Sequence, residues 1–208
     1  MTLEGKCIGI ALTGSHCTIP EVLPEIESLV AEGASVVPIM SESVARTDTR
    51  FGRAQDIRDR IEKLTGNRTI ETIAQAEPIG PKRLLDCLVI APCTGNTLAK
   101  LALAITDSPV LMAAKAHLRN GRPLVIGVST NDGLSGCARH IGTLLARRNV
   151  FFIPYGQDDP VGKPTSLVAR MNEMEKTIEE ALSGRQAQPM LIEKWRDARV
   201  GQQESCDR

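Results

Sequence analysis

The stretch "DCLVIAPCTGNTLAK" at residues 86–100 decides the fold, because a buried strand and a helix meet within it. An apolar run ends at Pro92, and such a continuous run is typical of a strand that is buried on both faces of a sheet. Apolar residues at helical spacing follow within residues 98–105. Small polar residues at 93–97 separate the two patterns, so the stretch predicts a strand, a short loop and a helix of an α/β fold.

The same alternation extends over most of the chain. Short apolar runs predict five buried strands, at residues 7–12, 35–40, 86–91, 123–129 and 150–155. Apolar residues that recur with the period of an α-helix predict six helices, within residues 22–33, 57–66, 98–105, 109–119, 134–145 and 167–182. Alternating buried strands and amphipathic helices predict the α/β class, with a doubly wound, mostly parallel sheet between two helix layers in a three-layer αβα arrangement.

The length of 208 residues suits one domain with a full core. We assign residues 1–184 to a single α/β domain. Residues 185–208 are mostly polar and predict a C-terminal tail that is expected to be partly disordered. Residues 67–85 contain two prolines and predict an ordered connection that could hold a short strand.

Composition argues against several classes of partner. Lys plus Arg and Asp plus Glu both number 25, so no excess of basic charge favours nucleic acid or an anionic membrane. Aromatic residues make up 2% of the chain, which leaves few rings to stack on unpaired bases. The six cysteines are widely spaced and no signal-peptide pattern is seen, so we expect a reduced, cytoplasmic protein.

No metal site is predicted, because the three histidines fall on separate segments without ligand spacing. We expect His117 and His140 on helix surfaces, whereas His16 lies in the loop after the first strand. Cys93 stands near a helix N-terminus, where thiol pKa values are lowered. No base can be paired with it from the sequence, so a packing or ligand-lining role is favoured and no catalytic residue is assigned.

Loops rich in Gly, Ser, Thr and Asn follow four of the predicted strands. In an open parallel sheet these loops meet at the carboxyl edge, where ligands bind. Backbone amides and hydroxyls beside helix N-termini suit a phosphate, although the same residue types are also ordinary caps and turn formers. The candidate ligand-binding residues are Gly14, Ser15, Ser41, Pro92, Cys93, Thr94, Asn96, Thr97, Ser129, Thr130 and Asn131.

Within this set we distinguish two roles. A phosphate-bearing group is predicted to dock on the turn at Gly14 and Ser15 and on the helix start near Thr94. Asn96 and Asn131 are predicted to hold the reacting end of the ligand, because an amide can donate and accept hydrogen bonds at once.

The motifs "LTGS" at residues 12–15 and "IAPCTGNTLAKLALAITDS" at residues 90–108 resemble a known family. It is the flavoprotein family of FMN-binding cysteine decarboxylases, which also includes a flavin prenyltransferase. The resemblance implies a Rossmann-like parallel sheet, FMN as the cofactor, and a homo-oligomer that is a trimer or a dodecamer. Another phosphate-bearing ligand is the alternative to FMN.

Motifs farther along the chain, "STNDGLS" at residues 129–135 and "FFIPYGQDDP" at residues 151–160, resemble the dipicolinate synthase branch of that family. The resemblance covers residues 5–184. It implies the B subunit of an oxidoreductase, which works with a larger, NAD(P)-linked A subunit and forms dipicolinic acid from a lysine-pathway intermediate during sporulation. Formation of the aromatic ring requires a hydride or electron acceptor, which would be a flavin or the nicotinamide of the larger subunit.

Two positions depart from the decarboxylases. They carry a His before the third strand, where this chain has Pro78, and a Pro-Ala-Met-Asn loop, where this chain has residues 128–131, "VSTN". Both departures argue against decarboxylation of a cysteine. Two alternatives to the synthase role remain open. One is a non-catalytic assembly subunit with a phosphate-binding pocket, and the other is a different FMN-binding protein of the decarboxylase or prenyltransferase type.

Overall fold

Strands and helices alternate along residues 2–193, which are the part of the chain that the computed structural model describes. The strands in that range are β1 (Cys7–Leu12), β2 (Ser35–Met40), β3 (Cys87–Cys93), β4 (Leu124–Thr130), β5 (Val150–Phe152), β6 (Tyr155–Gly156) and β7 (Leu167–Ala169). The α-helices are α1 (Ile19–Ala31), α2 (Glu42–Arg46), α3 (Ala54–Thr65), α4 (Ile73–Ala76), α5 (Gly95–Ala102), α6 (Pro109–Leu118), α7 (Ala138–Leu145) and α8 (Met174–Leu182).

These strands form one sheet in the order β2-β1-β3-β4-β7-β6, and β5 also pairs with β4. The strands from β1 to β5 run parallel, whereas β7 is antiparallel to both β4 and β6. The predicted α/β class and mostly parallel sheet are therefore confirmed. β1 and β2 have the predicted bounds and pair in register from Cys7 with Ser35 to Leu12 with Met40.

Helices cover both faces of the sheet. Every residue of β3 is buried, and successive side chains of a strand point to opposite faces, so neither face of this central strand is open to solvent. α1 contacts α3 and α8, while α5 contacts α6 and α7. α1 shows how the periodicity works, because Val22, Ile26 and Leu29 lie on one stripe and are completely buried. Each such side chain contributes about 1.5–3 kcal/mol through burial.

β4 has two different neighbours along one edge. Leu124–Ile126 pair with β5, whereas Ser129 and Thr130 pair with Val168 and Leu167 of β7. The prediction that a helix begins at Leu167 was therefore wrong. Its apolar spacing also fits a short strand, and pairing with the carboxyl end of β4 selects the strand. The helix of this segment, α8, begins at Met174 after a 3₁₀ turn at Met171–Glu173.

Two other predicted helices are shorter than expected. α7 begins only at Ala138, so Leu134 lies in the turn before the helix, where it is 52% exposed. Ile105 lies beyond α5, and Ala104 before it adopts a left-handed φ of 58° that no helix can contain. The connection at residues 67–85 contains α4, a 3₁₀ turn and an isolated bridge between Ile39 and Ile70.

The described part of the predicted tail contacts the sheet. Gln186 donates to the carbonyl of Phe152 at 2.6 Å and accepts from its amide at 2.8 Å. Tyr155 donates to the carbonyl of Met190 at 3.0 Å and accepts from Ile192 at 3.0 Å. The predicted disorder of residues 194–208 lies outside the described residues.

The longest helix of residues 2–193, α1, has 13 residues, and no helix in that range combines the length and apolar character that a bilayer crossing requires. The cysteines within the described range are all free thiols, at Cys7, Cys17, Cys87, Cys93 and Cys137.

Candidate functional site

A cleft of about 490 Å³ opens at the carboxyl edge of the sheet, between the loops that follow β1, β3 and β4. The loop that joins β6 to β7, with β7 itself, supplies the remaining wall. The cleft is lined by Gly14, Ser15, Cys17, Thr18, Glu21, Thr94, Gly95, Ser129, Thr130, Asn131, Asp158, Lys163 and Val168. Carboxyl ends of parallel strands are where ligands bind in such folds.

The structure brings together about half of the predicted ligand-binding residues. Those that line the cleft are Gly14, Ser15, Thr94, Ser129, Thr130 and Asn131. Those that do not line it are Ser41, Pro92, Cys93, Asn96 and Thr97. The loops after β1, β3 and β4 therefore converge as predicted, whereas the loop after β2 does not contribute to the lining.

Three hydroxyl groups form a closed cluster in the wall of the cleft. The Oγ atom of Ser129 lies 2.7 Å from the Oγ atom of Ser15 and 2.9 Å from the Oγ1 atom of Thr18. Ser15 and Thr18 complete the triangle at 3.2 Å. Thr18 precedes α1 but makes no side-chain capping bond, so its hydroxyl serves the cluster. Hydroxyl protons rotate, so each group can donate either within the cluster or to a ligand.

Thr13 connects the loops after β1 and β3. Its buried hydroxyl donates to the carbonyl of Pro92 at 2.7 Å and accepts from the amide of Thr94 at 3.0 Å. Both bonds fix the start of α5 relative to the turn at Gly14. Neither Thr13 nor Thr18 was among the predicted residues, although both stand in the same polar loop, "LTGSHCT", that supplied Gly14 and Ser15.

The N-terminus of α5 faces the cleft through Thr94 and Gly95. The Thr94 hydroxyl accepts from the amide of Thr97 at 3.4 Å and caps the helix. The first amides of an α-helix have no acceptor within the helix, and because Thr94 caps Thr97, the amides of Gly95 and Asn96 are the ones that α5 can offer to an anion. A Cβ atom on Gly95 would lie 2.6 Å from Thr130 Oγ1 and 2.8 Å from Cys137 Sγ. Only glycine lets α5 approach the loop after β4 so closely.

That loop has its own hydrogen-bond network. The Thr130 hydroxyl donates to the carboxylate of Asp132, and this bond holds the pKa of Asp132 below its ordinary value. Burial, with the Asp132 carboxylate beside it, raises the pKa of the Cys137 thiol to about 11. Cys137 is therefore a protonated packing residue at neutral pH rather than a nucleophile.

The charged residues of the lining are Glu21, Asp158 and Lys163. The Nζ atom of Lys163 lies 3.6 Å from Asp158 Oδ2. Burial alone would raise the pKa of Asp158, but the nearby Ser166 hydroxyl and the Lys163 ammonium hold it below its ordinary value. In the sequence, "PYGQDDP" was recognised only as a family motif. The connection between β6 and β7 places Asp158 and Lys163 beside the other loops.

The predicted residues that do not line the cleft are buried or half-buried in the fold, or are exposed outside the lining. Cys93 is completely buried, and burial raises the pKa of its thiol, which supports the packing role. Thr97 is buried beside Thr94, with 3.1 Å between the two hydroxyl oxygens. Ser41 precedes α2, and its buried Oγ atom has no hydrogen-bond partner among the described residues. Asn96 is exposed on the first turn of α5, so the structure does not bring it together with Asn131.

The expectation that two histidines lie on helix surfaces was wrong. His117 is 1% exposed, and its Nε2 atom lies 2.9 Å from the carbonyl of Pro123. Burial lowers its pKa to about 4, so it is neutral at pH 7. His140 is also buried. His16 does not line the cleft; its Nε2 atom lies 3.4 Å from Ser43 Oγ, and burial lowers its pKa as well.

No group of three or more His, Cys, Asp or Glu side chains in residues 2–193 is arranged to hold a metal ion. Apart from Glu21, Asp158 and Lys163, the lining offers neutral donors, namely hydroxyls and helix amides. Such donors suit an oxygen-rich anion, and they fit the phosphate of a nucleotide-like ligand.

Comparison with known proteins identifies relatives of this chain. The dipicolinate synthase B subunit of Bacillus subtilis (strain 168) is 54% identical over 194 residues, which cover 93% of this chain and 97% of that protein. The crystal structure of the dipicolinate synthase B subunit from Bacillus halodurans C superposes with a TM-score of 0.86 at 53% identity, over 93% of this chain and 100% of that one.

More distant structures share the fold. Burkholderia xenovorans DmrB, solved in complex with FMN and described as a cubic protein cage for redox transfer, has a TM-score of 0.64 at 18% identity, with 86% of this chain and 96% of that chain covered. The sequence profile described as Flavoprotein matches residues 1–178. The resemblance read from the sequence motifs is thereby confirmed, and this chain belongs to the Flavoprotein family.

Proposed function

We propose that this chain is the flavin-binding B subunit of a dipicolinate synthase. It would hold FMN in the cleft and act with the larger, NAD(P)-linked A subunit of that enzyme to form dipicolinic acid from a lysine-pathway intermediate during sporulation. The observation that carries the proposal is the combination of 53–54% identity to B subunits of this enzyme, over 93% of the chain, with a hydroxyl-lined cleft at the carboxyl edge of the sheet. The five free thiols support a reduced, cytoplasmic setting for this work.

The residues at the cleft fit a flavin phosphate. Ser15, Thr18 and Ser129 can rotate their hydroxyl protons outward, and the first amides of α5 lie beside them. The structure offers no aromatic ring in the described lining, so Val168 and backbone groups would contact the ring system. When bound, a flavin supplies a two-electron acceptor for the hydrogen that leaves the substrate ring.

The chain's own side chains would then bind and orient the substrate. Dipicolinic acid and its precursors are dicarboxylates, and Lys163 is the cation in the described lining that can bind a carboxylate. Asn131, just after β4, can donate to a ring nitrogen or carboxyl oxygen. Glu21 and Asp158 are negatively charged and would repel the carboxylates of a substrate. This repulsion favours a site in which a second chain also contributes residues that bind the substrate.

We also propose that the protein is a homo-oligomer, of three or twelve copies, as the family resemblance implies. Large apolar side chains are exposed at Leu103, Leu134, Val161 and Leu191. Contact with other copies would bury such residues. Light scattering at micromolar concentration should therefore show an assembly, and a monomer would contradict this part of the proposal.

A non-catalytic assembly subunit is the second candidate. One feature favours it. The described residues of the lining include no histidine, which is the commonest general base in enzymes. In that case the cleft would bind a phosphate-bearing ligand for stability, and the larger subunit would perform the oxidation with its nicotinamide. Pro78 and "VSTN" at residues 128–131 disfavour a cysteine decarboxylase as a third candidate.

The deciding experiment is a flavin titration followed by an activity assay with the larger subunit. The purified chain should bind FMN stoichiometrically, acquire a flavin absorbance spectrum, and be required for oxidation of the substrate by the larger subunit. Ser15→Asp should abolish FMN binding by placing a negative charge at the phosphate, whereas Gln55→Glu, which adds the same charge on the exposed face of α3, should leave it unchanged. Full activity of the larger subunit without this chain would contradict the proposal. Activity that needs this chain without any flavin would select the assembly role.

A further inference from the structure

A second hollow of about 490 Å³ lies outside the cleft. It is bounded by the C-terminal end of α5, by α6, and by the turn that connects α7 to β5. Its floor is apolar, because Leu101 and Leu111 are only 4% and 3% exposed and belong to the core. Ile105 and Leu118 extend this apolar surface toward the rim.

The rim is basic. Lys115, Arg119, Arg147 and Arg148 border the hollow, and all four are exposed. None of them forms an ion pair within residues 2–193, and the lining contains no Asp or Glu among those residues. The nearby carboxylate of Asp107 is already paired with Lys100 at 2.6 Å. Four uncompensated cations thus share one rim in a chain whose formal net charge is zero.

Basic residues near helix C-termini often have a simpler role, since they compensate the negative end of the helix dipole. Lys115 is in the last turn of α6, and Arg147 follows the end of α7. Arg119 is the C-cap residue of α6, so that role accounts for basic residues at the ends of both helices. It does not explain their arrangement around an apolar hollow.

We propose that this hollow binds a small amphipathic anion, with its apolar body against Ile105 and Leu118 and its carboxylate, sulfonate or phosphate on the basic rim. The volume lies within the range of about 300–1,000 Å³ that is typical of small-molecule sites, and such sites combine an apolar lining with a few charged groups. A small ligand is favoured over a protein segment because the apolar surface is bounded on three sides, by the end of α5, by α6 and by the turn before β5.

The hollow is a different site from the cleft, although one helix connects them. α5 begins at Gly95, which lines the cleft, and its Leu101 lines the hollow. The helical rise over the six positions between these two residues separates them by about 9 Å along the axis. Binding to one site can therefore be distinguished from binding to the other by competition.

The test uses two fluorescent probes on the purified full chain, anilinonaphthalene sulfonate and its uncharged parent, phenylnaphthylamine. The anionic probe should bind at one site per chain and about tenfold more tightly than the uncharged one, because of the basic rim. One equivalent of FMN, which is enough to fill the cleft, should not displace it. Arg147→Gln with Arg148→Gln should weaken the anionic probe about tenfold and leave the uncharged probe unchanged.

Two further variants control this comparison. Arg60→Gln with Lys63→Gln removes the same charge from another surface hollow, one that Glu27 also lines, and should not alter binding of either probe. Thr106→Trp keeps every charge but fills the proposed site, so it should abolish binding of both probes. All the substituted side chains lie at the surface or are half-buried, so we expect each variant to fold. The melting temperature of each variant checks this.

Several results would overturn the proposal. Equal affinity for the two probes, equal weakening by the control pair, or displacement by a single equivalent of FMN would each show that the rim does not bind the anion. A change of assembly size in the Arg147→Gln, Arg148→Gln variant by light scattering would mean that another copy of the chain covers the hollow. Displacement of the probe by the larger synthase subunit would make the hollow a protein-docking surface instead.

Discussion

Ser15 and Ser129 are 114 positions apart in the chain, yet their hydroxyl oxygens lie 2.7 Å from each other in the wall of the cleft. Ser15 follows β1, and Ser129 is near the carboxyl end of β4, beside Val168 of β7. β3 separates the two strands in the sheet. Their hydrogen bond therefore spans the carboxyl end of β3 and joins the two sides of the cleft, with Thr18 as the third member of the cluster.

Replacing Ser129 by Ala should lower the free energy of unfolding by about 1–2 kcal/mol, because it removes the hydrogen bonds to both Ser15 and Thr18. A double-mutant cycle with Ser15→Ala should show a coupling energy of about 0.5–1.5 kcal/mol. Urea denaturation gives both quantities. Ser135→Ala, at an exposed position, should change stability by less than about 0.5 kcal/mol. Additive effects of Ser15→Ala and Ser129→Ala would show that the cluster is not an energetic unit.

Gly95 and Gly142 form a matched pair for testing how closely α5 packs. Gly95→Ala should destabilise the protein by about 1–3 kcal/mol, because the new methyl group would meet Thr130, Asp132 and Cys137 at 2.6–2.8 Å. Gly142→Ala, in the middle of α7 with no atom within 4 Å of the added Cβ, should stabilise it by about 0.5–1 kcal/mol. Thermal unfolding of both variants measures the difference, and a neutral Gly95→Ala would mean that the loop after β4 adapts to α5.

The two asparagines that the sequence paired should behave differently. Asn131→Ala should weaken FMN or substrate binding by about one to two decades, equivalent to about 1–3 kcal/mol, since Asn131 lines the cleft. Asn96→Ala, on the exposed first turn of α5, serves as its control and should change affinity little in the isolated chain. Equal losses in both variants would support the original pairing and require the Asn96 side chain to reach the ligand through assembly of several chains.

His117 predicts a specific dependence of stability on pH. Its pKa falls from an ordinary 6.5 to about 4 in the folded protein, because the imidazole is buried. As the pH falls, the unfolded chain therefore binds a proton on His117 at a higher pH than the folded protein does. The free energy of unfolding decreases as the pH falls from about 6.5 to about 4. The full contribution is about 3 kcal/mol, from the free energy associated with each pKa unit.

Urea denaturation across this pH range tests the prediction against His117→Gln, which can still donate to the carbonyl of Pro123 but does not titrate. The wild-type curve should fall more steeply than that of the variant between these pH values. Parallel curves would show that His117 is protonated in the folded protein as readily as in the unfolded chain.

Local sequence patterns were sufficient to locate strands in the parallel part of the sheet. The apolar runs at residues 7–12 and 35–40 match β1 and β2, because strands that are buried on both faces need continuous apolar sequence. The same signal does not report strand direction or partner. The single run predicted at 150–155 consists of two strands, since Val150–Phe152 pair with β4 and Tyr155–Gly156 pair with β7.

The sequence by itself determined the fold class, the family, and the chemistry of the loops after β1, β3 and β4, because each depends on residues that are close together in the chain. Only the tertiary structure decided which of those residues share a cleft. Ser15 contacts Ser129, and Asp158 and Lys163 complete the wall, because the order of strands in the sheet and the antiparallel return of β7 bring them to one edge. Ser41 and Asn96 have the same local chemistry but lie outside that lining, because no local pattern records the direction in which a loop or a helix turn faces.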